Sequence, residues 1–153
     1  MNSIQQVLAE LGRIEPRLVQ FAAVAPADTF DICAEVLATH ASELERANAI
    51  MLACLVDSSR GLGLIEKGLK DASDLVRIAA TRSLEIIPSA EIKLRTSIVR
   101  MALLDSDAGV RKFALRVVKQ HAISELRPEI ERMRQHDPAP YVQKMATEIQ
   151  IGE

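Results

Sequence analysis

The segment "DSDAGVRKFALRVV" at Asp105–Val118 has a near-copy, "DASDLVRIAATRSL", at Asp71–Leu84 and a fainter one, "DPAPYVQKMATEIQ", at Asp137–Gln150. Superposed on Arg77, Arg111 and Gln143, the three share a preceding valine (Val76, Val110, Val142) and an alanine three residues on (Ala80, Ala114, Ala146). An aspartate stands six residues before each: Asp71, Asp105 and Asp137. An earlier stretch, "ASELERANAIMLACL", fits the frame through Arg46 and Ala49, with His40 at the aspartate position and Glu45 at the valine position. The frame therefore recurs at intervals of 31, 34 and 32 residues. A unit of that size cannot bury its own apolar face, so such a chain must stack one unit on the next.

The units read as helices. In "VRKFALRVV" the apolar residues Val110, Phe113, Ala114, Val117 and Val118 fall at steps of three and four, one stripe of a helix. The alanine within the stripe admits a neighbouring helix at close range. Asp107 and Asp74 are the expected N-caps, and their charge suits the positive end of the helix dipole. The aspartates at 71, 105 and 137 lie in the preceding loops, placed to meet an arginine of an adjacent unit. Second helices are expected from Ser58, Ser89 and Ser124, each serine serving as an N-cap, with Pro128 in the first turn of the third. Ahead of them, "SIQQVLAEL", "PRLVQFAAVA" and "ADTFDICAEVLATH" are three further apolar-periodic segments.

Composition agrees with helices. The chain is 48% hydrophobic but only 3% aromatic, and its six glycines and six prolines leave little turn chemistry for many short strands. The expectation is an all-α fold, a single domain of 153 residues. Its parts are a cap or half-repeat at 1–41, repeats at 42–70, 71–104 and 105–136, and a partial repeat at 137–153.

Asp, then Val-Arg, then Ala three residues later, recurring at this period, resembles HEAT repeats, and most nearly the short lyase-type HEAT-like repeats also found in phycobilin lyases. The resemblance implies a right-handed α-α superhelix, a solenoid of about four stacked helical hairpins. It further implies a structural ladder between neighbouring units made by Asp71, Arg77, Asp105, Arg111 and Asp137. With Gln143 in place of arginine and His40 in place of aspartate, the ladder is expected to weaken at both ends. The "TPLHxA" of ankyrin repeats is absent, and tetratricopeptide repeats would bring a tryptophan or tyrosine at fixed offsets.

Little in the chain points to catalysis. The HEAT-like deoxyhypusine hydroxylases hold iron with His-Glu dipeptides, whereas the three histidines here stand in "HA", "HA" and "HD". No metal or cofactor is expected, and His136-Asp137 reads as a solvated turn. "RGLGLIEKG" lacks the frame of a phosphate loop. The expectation is a non-enzymatic scaffold or adaptor for a protein partner, contacted through the second helices of the central repeats by Lys93, Arg95, Arg100, Arg127 and Glu131.

Net charge is −2 overall. Residues 77–134, however, hold 12 Lys and Arg against 7 Asp and Glu. That basic half offers an alternative reading, nucleic-acid binding through phosphate contacts, although aromatic stacking residues are missing. No apolar run is long enough to span a bilayer. The start of the chain lacks the pattern of a secretion signal, so a cytoplasmic location is expected. Cys33 and Cys54 fit two buried free thiols. The last helix, with a stripe of Val142, Met145, Ala146 and Ile149 and no partner after it, suggests a homodimer through that face.

Overall fold

The computed structural model describes residues 1–40 and 42–150; the other four positions of the expected cap and partial repeat lie outside the described residues. Among those described, the chain forms eleven α-helices, two 3-10 turns and no strand. The expected all-helical class is what is found. It gathers into two compact units, residues 1–87 and residues 88–153, divided between Ile87 and Pro88.

The first unit contains α1 (Ser3–Leu11), α2 (Leu18–Ala22), α3 (Thr29–Thr39), α4 (Glu43–Val56), a 3-10 turn at Ser58–Arg60, α5 (Gly61–Gly68) and α6 (Asp74–Ser83). Asn2 and Gln5 form a reciprocal capping box that starts α1, each side chain accepting from the other's backbone N–H. α4 is central and meets α1, α2, α3, α5 and α6. Buried Val7 and Leu11 of α1, Phe30, Cys33 and Val36 of α3, and Ala49, Leu52 and Ala53 of α4 form one apolar cluster. Two buried polar side chains hold α1 in place. Asn48 of α4 donates to the carbonyl of Leu11 at 2.8 Å, closing the end of α1. Glu10 accepts from the backbone N–H of Arg17 at 2.6 Å.

The second unit contains α7 (Ser89–Leu94), α8 (Thr96–Leu103), α9 (Ala108–His121), a 3-10 turn at Ser124–Leu126, α10 (Arg127–His136) and α11 (Pro140–Glu148). α9 packs on α8 and α11, and α10 packs on α11. The alanines of the stripe, Ala80 in the first unit and Ala114 and Ala146 in the second, are wholly buried.

Several local expectations need correction. Asp107 caps α9, its carboxylate accepting from Val110 N–H at 3.0 Å. In the earlier copy, however, Ser73 is the cap, accepting from Val76 N–H at 3.5 Å, and Asp74 is the first helical residue. Ser73 is the residue two beyond Asp71, as Asp107 is two beyond Asp105, so the shared frame outweighs residue type. Ser58, Ser89 and Ser124 do not cap through their side chains. Ser58 and Ser124 open 3-10 turns that delay α5 and α10 by three residues, and Ser89 already lies inside α7. The helix expected from Ser89 is two helices, broken at Arg95 (φ −134°, ψ 52°). His136 is the last residue of α10, and Asp137 is buried rather than part of a solvated turn. The stripe of α11 is not bare either, since Val142, Ala146 and Ile149 are buried. Arg134 closes that helix by donating to the carbonyls of Ala146, at 2.8 Å, and Ile149.

Candidate functional site

The repeated frame is one local device used several times. Arg46, Arg77 and Arg111 each send Nη1 back to the carbonyl six residues earlier: His40, Asp71 and Asp105, at 2.9, 3.0 and 3.0 Å. Each loop aspartate in turn accepts, through Oδ1, from the N–H two residues on: Ser73, Asp107 and Ala139, all at 2.9 Å. In Arg46 and Arg111 the rest of the guanidinium reaches the next loop. Nε and Nη2 of Arg46 meet Asp71 at 3.0 Å each, and those of Arg111 meet Asp137 at 2.8 and 2.9 Å. These forks make Asp71, Arg111 and Asp137 part of the scaffold. Arg46 belongs with them. Its place in the frame, 31 residues before Arg77, was the signal for it.

Burial alone would raise the Asp71 carboxyl, but the hydrogen bonds from Arg46 and the Ser73 amide outweigh it and hold the group below its ordinary range. At the start of the series the two departures from the frame face each other, with His40 Nδ1 3.4 Å from Glu45 Oε2. At its end the Gln143 amide reaches only the carbonyl of Gln135, at 3.4 Å on an exposed edge.

The expected contact residues all belong to the second unit. Lys93, Arg95, Arg127 and Glu131 are exposed, and Leu94 between the first two is 85% exposed. Arg100 is only partly exposed, and its Nε donates to Glu129 at 2.7 Å. Across the basic stretch, Arg100, Arg111 and Arg134 each hold a carboxylate, of Glu129, Asp137 and Glu131. Glu129 and Glu131 are already counted among the acids of residues 77–134, so only Asp137 offsets charge beyond that balance. Sequence reasoning also missed a contact between Ser89 Oγ and Nδ1 of the buried His121, 2.6 Å apart, which ties the start of α7 to the end of α9.

Several cavities open on the surface, including one in each unit. One, about 390 Å³, lies in the second unit, lined by the loops at Leu104–Ser106 and Asp137–Pro138 and by Arg132, Met133 and His136. Another, about 290 Å³, is a mostly apolar groove in the first unit between α1 and α3. Ile4, Leu8, Ile32 and Val36 line it, and Asp28, Asp31, Glu35 and His40 stand around it. No sequence expectation pointed to this groove. Among the described residues, no group of three or more His, Cys, Asp and Glu side chains is placed to hold a metal ion, and no single helix is long and apolar enough to cross a membrane. No family model and no curated protein matches the chain.

Proposed function

We propose that the protein is a non-enzymatic docking module, a short right-handed α-α superhelix of HEAT-like hairpins that binds another protein. The repeated bonding of Arg46, Arg77 and Arg111 supports the repeat. The observation that carries the docking role is the open apolar groove between α1 and α3, where Ile4 keeps 54% of its surface exposed beside the partly buried Leu8 and Ile32. Apolar surface offered to water beside a ring of charge is the anatomy of a docking patch. The cationic corner at Lys93, Leu94 and Arg95, together with the exposed Arg127 and Glu131, is the second surface to be tested.

The test is capture of partners on the full chain in three forms: wild type, Ile4→Asp with Glu35→Lys, and Lys93→Glu with Arg95→Glu. All substituted positions are exposed, so the fold is expected to survive, and circular dichroism checks it. A dominant protein retained by the wild type and the second-unit variant, but lost from the groove variant, is the expected result. Loss only from the second-unit variant moves docking to the cationic corner. A wild type that retains nothing specific ends the docking reading. Binding of duplex DNA at about 50 mM salt, falling steeply as salt rises, would instead favour the phosphate-binding alternative.

A further inference from the structure

We infer that the groove between α1 and α3 takes a cationic amphipathic helix of about three turns, an inference that rests on the docking role proposed above. The pattern along α3 is the argument. Asp28, just before the helix, and Asp31 and Glu35 within it stand at steps of three and four, and Ile32 and Val36 beside them at a step of four, so acid and apolar residues run as adjacent stripes along α3 from its N-cap on. Asp28 and Glu35 are seven residues apart, about 10 Å along a helix axis. A second helix laid alongside brings its own side chains past at the same interval. A ligand with Leu- or Ile-sized anchors at i, i+3 and i+7 therefore places them against Ile4, Leu8, Ile32 and Val36. Lys or Arg on its flank comes beside the three carboxylates.

The charges favour this occupant over others. Residues 1–87 carry 12 Asp and Glu against 8 Lys and Arg, so an acidic segment would be repelled from the whole unit. Among the described residues, the side chains of Asp28 and Glu35 have no ion-pair partner. Asp31 pairs with Arg60 at 3.1 Å, but both are well exposed, and Arg60 is also held by Asp57 at 2.8 Å and lies over the Phe30 ring. Asp31 can exchange that partner for a ligand cation at small cost. At about 290 Å³ the groove sits at the lower edge of small-molecule pockets. A few anchoring side chains fill it.

The probe is a fluorescein-labelled synthetic peptide of about 14 residues, made only of leucine and lysine at helical spacing. Its leucine–glutamate counterpart and a scrambled leucine–lysine sequence serve as controls. Fluorescence anisotropy against the full chain is expected to show saturable binding of the first alone. Affinity should fall at least tenfold for Glu35→Lys and for Ile4→Asp, and stay unchanged for Lys93→Glu with Arg95→Glu. Equal binding of the scrambled peptide, or indifference to Glu35→Lys and Ile4→Asp, overturns the inference. If the leucine–glutamate peptide binds through Ile4 instead, the groove docks proteins but the cationic class is wrong. Self-association of the chain that Glu35→Lys abolishes makes the occupant a second copy, and this too overturns it. Failure of both peptides, with a cellular partner still lost from the groove variant, rejects the helical ligand and leaves the docking role standing.

Discussion

Arg111 and Asp137 meet as a two-pronged pair, Nε and Nη2 against the two carboxylate oxygens at 2.8 and 2.9 Å, with only 9% and 3% of the side chains exposed. A pair so deeply placed is costly to break from one side, because the survivor keeps its charge without a partner. Asp137→Ala is expected to lower unfolding free energy by about 3–5 kcal/mol, the range for removing one member of a buried pair. Asp31→Asn, which breaks the exposed pair with Arg60, is expected to leave the unfolding midpoint nearly unchanged. Urea denaturation of both variants is the measurement. Similar midpoints for the two would show that the Asp137 contact is no stronger than a surface pair.

Two glycines in α5 should respond oppositely to alanine. A methyl group on Gly68 would lie 2.4 Å from Ile50 Cδ1 and 3.0 Å from Ala80 Cβ, so α4 and α6 approach α5 only because that group is missing. Gly63 has nothing within 4 Å. Gly63→Ala is expected to stabilise by about 0.5–1 kcal/mol through helix propensity. Gly68→Ala gains the same propensity but must move a buried isoleucine and a helix, for a net loss of about 1–3 kcal/mol. Thermal unfolding of the two single variants decides. Stabilisation by both would disprove the close approach at Gly68.

Much of this scaffold was legible in the sequence because one geometry is used several times. Arginine at position 111 must reach the carbonyls of Asp105 and Ser106 and a distant carboxylate at once, and few other side chains span them; the reach back to the carbonyl six residues earlier recurs at 46 and 77. Alanines 80, 114 and 146 recur because they are buried where helices touch. What stayed hidden depends on relations with no period. The break at Arg95 has no glycine or proline to announce it. His40 and Glu45 look like two separate departures from the frame until they are seen in contact. The groove between α1 and α3 follows from how Asn48 and Glu10 seat α1, both outside the repeated positions.

Stability should depend on acid through Asp71. Its carboxyl ionises below its ordinary value in the folded chain, so the folded state binds its proton less readily than the unfolded state does. The stabilisation is fully present above the unfolded value of about 3.9 and is lost as pH falls through the lower folded one. In denaturant titrations from pH 7 to pH 3, wild type is expected to weaken at the acid end. Asp71→Asn should be weaker at pH 7, with a shallower decline below pH 4. Parallel curves for the two proteins would mean that Asp71 does not contribute to the acid transition.

Cys33 and Cys54 should be chemically silent while the chain is folded. Both are wholly buried. Burial pushes each thiol up to about 12, with Cys54 adding to the effect on Cys33 and the neighbouring Ser83 hydroxyl opposing it at Cys54. Because the thiolate is the reactive form, iodoacetamide at pH 8 finds almost none of it, whereas an ordinary thiol near 8.5 is substantially ionised there. Mass spectrometry is expected to show no modification of the native chain over a period that fully labels a free cysteine peptide, and two modifications in urea. Single labelling under native conditions would reveal that α3 or α4 opens without the rest, since one thiol lies in each helix and both belong to the packed middle of the first unit.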